Sequence, residues 1–180
     1  MREKTIYKPS IYICSSNNHD RFALGHIGKK TLFVIGVNPS TASDISPDNT
    51  MTKTHRHSEI LGFDGYVMFN LSSQRSTKPV HLDERSDRFS AIENIGVIRS
   101  ILKRQQNIHM LAAWGETIMN RPYLFDNLKE ICNQLKPLKV SWYHLGPLTR
   151  TGHPRHLSRT AYSLRLIPFH IEGYIERWRN

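Results

Sequence analysis

The chain has 180 residues, 38% of them hydrophobic, which fits one domain (residues 1–180) with a single hydrophobic core. It contains no apolar run near the ~18 residues needed to cross a bilayer, and Met1-Arg2-Glu3-Lys4-Thr5 lacks the apolar segment of a signal peptide. We therefore expect a cytoplasmic protein without a membrane partner. The formal net charge of +10 predicts a positive potential that attracts polyanions such as nucleic acids.

The cysteines and paired histidines do not indicate a metal site. Cys14 and Cys132 lie far apart and match no metal or redox spacing, so we expect two reduced, structural thiols. His55 and His57 lack a carboxylate–histidine spacing typical of zinc, and we expect both to lie exposed on a helix. The sequence therefore predicts no metal and no cofactor.

The N-terminal part of the chain predicts a small β flap beside the main sheet. One or two strands between Phe22 and Ile27 are expected to turn at Gly28-Lys29-Lys30 into a central strand. That strand is the apolar run Thr31–Gly36, whose lack of polar alternation is typical of a parallel strand buried on both faces.

Helices and further strands alternate after the central strand. Asp48 or Thr50 is expected to cap a helix that ends near Leu61, and Ser86-Asp87 to precede a second helix that ends at Leu102. A third helix is predicted from about Glu116 to Leu135, bent at Pro122, and the segment from Ile167 to Asn180 is expected to end in an amphipathic helix. The remaining predicted strands are Gly65–Leu71, Ile108–Trp114 and Lys139–Leu145.

This alternation predicts a three-layer α/β/α sandwich with a mainly parallel, four-stranded sheet. The loops that follow parallel strands emerge at one edge, where such sheets bind ligands. If the chain reverses its winding direction after the first pair of strands, a crevice opens beside the central strand.

Polar and basic side chains follow the predicted strands and are therefore candidates for that crevice. They are Asn38, Ser40 and Thr41 after the first strand, Asn70 and Arg75 after the second, Trp114 after the third, and Arg150, His153, Arg155, His156 and Arg159 after the fourth. Amides pair with base edges and guanidinium groups match phosphates, so we expect a nucleotide, DNA or RNA as ligand.

Each candidate also has a purely structural alternative. Asn38 and Asn70 can simply hold turns, which asparagine often does after a strand. Arg75 can be an ordinary loop charge, and Trp114 can belong to the core. Ser40 is a weak candidate for a nucleophile because it lacks the G-x-S-x-G elbow.

Several of these segments resemble the bacterial family called domain of unknown function 1643. The resemblance covers about residues 21–159 and is carried by five segments: Asn38-Pro39-Ser40-Thr41-Ala42, Asp48-x-Thr50, Asn70-Leu71, Ala113-Trp114-Gly115 and Gly152-His153-Pro154-Arg155-His156. It implies no activity.

Three motifs are similar, more distantly, to those of uracil-DNA glycosylases. Gly36-Val37-Asn38-Pro39 looks like the motif whose Asn or Asp positions a water, and Phe69-Asn70-Leu71 looks like the strand whose asparagine reads the uracil edge. His153-Pro154-Arg155-His156-Leu157 looks like the His-Pro-x-x-Leu motif, whose histidine stabilises the departing base and whose loop enters the DNA minor groove. The likeness implies a glycosylase-like fold, although the reaction need not be shared.

The leading hypothesis is a nucleic-acid- or nucleotide-binding protein that hydrolyses an N-glycosidic bond. Asn38 would orient the water, Asn70 would hold the base, and His153 would stabilise negative charge on the base. Ser40, Thr41 and Trp114 would contact the base or ligand, and the arginines and His156 would contact phosphate. The alternatives are a non-catalytic binding module and a hydrolase of small nucleosides or nucleotides.

Overall fold

Seven strands form one sheet in the computed structural model, which describes residues 7–178. The strands are β1 (Ile11–Cys14), β2 (Arg21–His26), β3 (Thr31–Gly36), β4 (Gly65–Asn70), β5 (His109–Ala112), β6 (Ser141–Leu145) and β7 (Leu166–Pro168). Their order is β1-β2-β4-β3-β5-β6-β7, and β4, β3, β5 and β6 run parallel. The four predicted parallel strands are present, but a sheet of four strands is wrong because antiparallel strands extend both edges.

The predicted N-terminal flap is part of this sheet. β2 runs antiparallel to β4, with Leu24 opposite Met68, and β1 pairs with the outer side of β2. β3 pairs with β4 and β5 rather than with β2, since β4 lies between them. At the other edge, β7 pairs with β6, and the helix expected at the end of the segment from Ile167 follows this strand. The pairing of β7 with β6 is a feature that local periodicity does not reveal.

In the described part of the chain, four helices flank the sheet: α1 (Asn49–Ile60), α2 (Arg88–Leu102), α3 (Tyr123–Leu135) and α4 (Ile171–Arg177). The predicted caps of α1 and α2 are present, because Asp48 and Asp87 each accept a hydrogen bond from a backbone N–H three residues later. The helix predicted from Glu116 is divided into a 3₁₀ segment, Gly115–Asn120, and α3. Within residues 7–178, no helix has both the length and the apolar character that crossing a membrane requires.

Alternate residues of β3 build two separate cores. Phe33 and Ile35 face the side that carries α2, α3 and α4, whereas Leu32 and Val34 face the side of Met51 in α1. The helices therefore cover both faces of the sheet, as the predicted three-layer sandwich requires. All six residues of β3 are buried, which explains why its sequence is a continuous apolar run.

The expectation that His57 lies exposed is wrong. Its side chain is buried under the loop that follows β6, with Nε2 2.9 Å from Thr160 Oγ1. Lys53, one turn earlier in α1, donates a hydrogen bond to the Thr160 carbonyl at 2.7 Å. α1 thus holds in place the loop that follows the segment Gly152-His153-Pro154-Arg155-His156.

Candidate ligand-binding cleft

A cleft of about 650 Å³ opens at the carboxyl ends of the parallel strands. From β3 the chain moves to β4 on one side and then crosses to β5 on the other. This reversal is the type of position at which open parallel sheets bind ligands. The predicted residues that line the cleft are Asn38, Ser40, Asn70, Arg150, Arg155, His156 and Arg159.

Asn38 both holds the turn after β3 and presents an acceptor to the cleft. Its Nδ2 donates to the carbonyl oxygens of Pro39 at 2.9 Å and Ser76 at 2.8 Å. These two bonds use both N–H groups of the amide. Its Oδ1 is therefore the atom that can accept a hydrogen bond from a ligand.

Asn70 ends β4 and is 1% exposed. The amide orientation that satisfies its neighbours directs Nδ2 at the carbonyl oxygens of Phe69 (3.2 Å) and Asn38 (3.3 Å). Asn94 of α2 in turn donates to the Asn70 carbonyl at 2.9 Å and holds the end of the strand. In this orientation Asn70, like Asn38, keeps an amide oxygen as its available acceptor.

His156 is the histidine of its loop that faces the cleft. Its Nδ1 lies 2.8 Å from Ser158 Oγ and accepts from the Ser158 N–H at 3.3 Å. Burial, assisted by Arg159, lowers its pKa, although Asp48 opposes the shift. The ring is therefore neutral at pH 7, and the Ser158 N–H assigns its proton to Nε2.

The cleft position expected for His153 is wrong. The side chain is 1% exposed, and its Nδ1 lies 2.7 Å from the hydroxyl of Tyr174 in α4. Its ring stacks on Trp178 with a centroid distance of 4.5 Å. His153 and His156 come from the same loop but face different surroundings, which a sequence motif cannot distinguish.

Trp114 is likewise a core residue and not a platform for a base. It is 0% exposed, and its Nε1 donates to the Tyr174 hydroxyl at 3.0 Å. Trp114, His153, Tyr174 and Trp178, with Phe125 packed on the last three, form what we term the aromatic cluster. The cluster lies beneath α4 and does not line the cleft.

Arg75 and Thr41 also lie outside the cleft lining. The Nη1 of Arg75 donates to the carbonyl oxygens of Ser40 (2.9 Å) and Ala42 (3.1 Å), and Nη2 donates to the Tyr12 hydroxyl (2.7 Å). Its guanidinium therefore fixes the loop after β3 instead of meeting a ligand phosphate. Thr41 is exposed on that loop.

The structure adds one cation and two carboxylates that sequence reasoning did not place in the site. Arg21 opens β2 and reaches the cleft because β2 runs antiparallel to β4. Asp48 lines the cleft while capping α1, and Glu116 follows Gly115 with its carboxylate bound to the Thr151 hydroxyl at 2.7 Å. The only sequence signal for Arg21 was a charge at the start of an otherwise apolar strand.

The lining carries an excess of positive charge. It includes the four arginines Arg21, Arg150, Arg155 and Arg159, against the two carboxylates of Asp48 and Glu116. Within residues 7–178, no three His, Cys, Asp or Glu side chains are grouped so as to hold a metal ion.

Comparison with known families gives a match to the family described as "Protein of unknown function (DUF1643)", over residues 21–156. The chain belongs to this family. The DUF1643 region begins at Arg21 and ends at His156, both of which line the cleft. The curated proteins and the solved structures gave no match.

Proposed function

We propose that the cleft binds a nucleotide or nucleic acid. The observation that carries this proposal is the presence, in one cleft, of the amide groups of Asn38 and Asn70 and of the basic side chains Arg150, Arg155 and Arg159. The amide oxygens can accept hydrogen bonds from the N–H groups of a base edge. The guanidinium groups attract and pair with phosphate.

Binding of fluorescent nucleotides and oligonucleotides over a range of salt concentrations tests this proposal. We expect the logarithm of affinity to fall linearly with the logarithm of salt concentration. The double variant Arg150→Gln/Arg159→Gln should reduce the magnitude of this log–log slope by roughly 1.5–2, since each phosphate contact contributes about 0.9 for duplex DNA. Arg99→Gln, on the exposed side of α2, is the matched control and should leave the slope unchanged. Absence of binding to all of these ligands would exclude the proposal.

His156 favours hydrolysis of an N-glycosidic bond as a second, more specific function. A neutral imidazole with a proton on Nε2 can donate to the negative charge that develops on a departing base. We propose His156 for the role that the sequence assigned to His153. In this proposal the fold is of the uracil-DNA glycosylase type.

The proposed reaction uses groups that line the same cleft. Asn70 would hold the base, and the Asn38 amide oxygen would orient a water towards C1′ of the sugar. The water oxygen bonds to C1′ as the C1′–N bond breaks, and the electron pair of that bond leaves with the base. The Asp48 carboxylate, held by the Met51 N–H, is the available acceptor for the water proton.

An abasic-site assay with uracil-, hypoxanthine- and mismatch-containing oligonucleotides tests the hydrolysis. His156→Ala should reduce the rate about 10²–10³-fold if its donor stabilises the departing base. His81→Ala, at an exposed position, is the control. Binding without cleavage by the folded protein would leave a non-catalytic binding module, and release of bases only from free nucleosides or nucleotides would indicate a small-molecule hydrolase.

A further inference from the structure

Arg21 is a buried cation that faces the cleft. Its side chain is 2% exposed and belongs to the cleft lining. Among residues 7–178, every ion pair within 4.0 Å joins other residues, so no carboxylate oxygen lies that close to an Arg21 nitrogen. Buried guanidinium groups normally have such a partner or a full set of hydrogen-bond acceptors.

The hydrogen bonds of Arg21 leave most of its donors unused by the described residues. Of the five N–H groups of a guanidinium, one Nη1 donor reaches the Ala42 carbonyl at 2.9 Å. Nε is buried and has no partner there. A structural role in holding the loop after β3 would therefore use only a small part of this side chain.

The charges around Arg21 favour the entry of an anion. Arg75 donates to the same Ala42 carbonyl at 3.1 Å, so two guanidinium groups converge on one oxygen. The negative charge of Asp48 opposes them, but its Oδ1 already accepts a hydrogen bond from the Met51 N–H. The N-terminal turn of the 12-residue helix α1 lines the same cleft and adds the positive end of its dipole.

We infer that Arg21 forms an oxyanion subsite in the cleft and binds the terminal phosphate of a nucleotide or of a nucleic-acid end. This inference rests on the proposed nucleotide-binding function and specifies which group of the ligand is buried. A guanidinium offers paired donors that match two phosphate oxygens.

The depth of Arg21 selects a terminal phosphate over one within a strand. Arg150 and Arg159 are exposed at the rim, whereas Arg21 is enclosed. A phosphodiester within a strand continues in two directions and suits the exposed rim. A terminal phosphate is attached on one side only and can therefore enter the enclosed part of the cleft.

Calorimetric titration of the wild-type chain with uridine, adenosine and their 5′-monophosphates tests the subsite. We expect each monophosphate to bind at least tenfold more tightly than its nucleoside. Arg21→Gln should reduce that preference about tenfold to a hundredfold, as expected for the loss of hydrogen bonds to a charged group. Arg21→Lys should retain part of it, because the charge remains but the paired donors are lost. Arg165→Gln, an exposed control, should behave as wild type.

Oligonucleotides and inorganic phosphate separate the remaining outcomes. A tighter complex with a 5′-phosphorylated than with a 5′-hydroxyl oligonucleotide would identify a nucleic-acid end as the source of the phosphate, and a preference limited to mononucleotides would identify a free nucleotide. If inorganic phosphate binds wild type but not Arg21→Gln while no nucleoside, nucleotide or oligonucleotide binds, the subsite stands and the proposed nucleotide function fails. If the wild-type chain binds monophosphates and nucleosides with equal affinity, the proposed subsite is wrong. This comparison requires no variant.

Discussion

The buried charge of Arg21 is expected to favour the binding of an anionic ligand but to lower the stability of the ligand-free protein. Burial, followed by the neighbouring charge of Arg75, lowers the pKa of Arg21 to about 10, which still leaves it charged at pH 7. A buried charge without an ion pair destabilises the folded state unless a ligand supplies the opposite charge. Functional sites often retain such costly groups.

Replacement of this charge should therefore be tolerated in the absence of ligand. We expect Arg21→Met to have a free energy of unfolding equal to or above that of wild type in chloride buffer, measured by urea denaturation. Arg75→Met is the matched comparison and should lose about 2–3 kcal/mol, because three hydrogen bonds that fix the loop after β3 disappear. A loss for Arg21→Met as large as that for Arg75→Met would show that Arg21 is structural.

At the scale of the element, α1 and α2 provide two similar caps with different surroundings. Asp48 accepts from the Met51 N–H at 2.8 Å beside the cleft, and Asp87 accepts from the Ser90 N–H at 2.7 Å away from it. The two helices begin in the same way, so the two aspartates differ only in their position relative to the cleft.

Removal of either cap should lower stability to a similar extent. Asp48→Ala and Asp87→Ala should each reduce the free energy of unfolding by about 1 kcal/mol. Only Asp48→Ala should also raise the affinity for nucleotides, because it removes from the cleft a negative charge that repels phosphate. Equal effects of the two variants on affinity would argue against the cleft as the binding site.

One hydroxyl group of α4 contacts two buried polar partners. Tyr174 accepts from Trp114 Nε1 and lies 2.7 Å from His153 Nδ1. Tyr174→Phe preserves the ring but leaves both buried partners unsatisfied, which should lower the free energy of unfolding by about 2–4 kcal/mol. Tyr162→Phe, at an exposed position, should change it little. Chemical denaturation followed by tryptophan fluorescence measures both.

At the scale of the whole molecule, burial lowers the pKa of five histidines: His57, His109, His144, His153 and His156. The unfolded chain takes up protons at these rings as the pH falls through about 6.5, whereas the folded chain does so only at lower pH. The associated stability is therefore complete above pH 6.5 and is lost as the pH falls towards the lower, folded-state pKa values.

Acidification should consequently weaken the fold before most carboxylates titrate. We expect the free energy of unfolding, measured by urea denaturation, to fall between pH 7.5 and pH 5.5. His156→Gln should show a smaller fall than wild type, since one of the buried imidazoles is gone. His81→Gln, at an exposed position, should retain the wild-type dependence. A constant free energy over this range would contradict the prediction.

Local sequence patterns predicted the centre of the fold well. β3 and β4 are continuous apolar runs because both faces of each strand are buried, and Asp48 and Asp87 mark helix starts because a short acidic side chain satisfies free N–H groups. The edge strands were less accessible to prediction. The pairing of β7 with β6 depends on which strand edge of the folded sheet is available, and no local pattern encodes that.

The candidate site was predicted most directly where a residue closely follows a parallel strand. Asn38 and Asn70 directly follow parallel strands, so the topology places both at the cleft. His153 and His156 are three residues apart in an irregular loop, and packing against α4 decided which of them became buried. Arg21 reaches the cleft through the antiparallel pairing of β2 with β4, which the sequence pattern did not reveal.

The contact between Tyr174 and Trp114 spans 60 residues of sequence and has a consequence for biosynthesis. A ribosome must translate as far as residue 174 before this indole can find its acceptor. Until then the apolar surface beneath α4 remains exposed on the nascent polypeptide, where it can recruit chaperones or promote aggregation. Emergence of residue 174, rather than of the cleft segments, should therefore mark the acquisition of the native state.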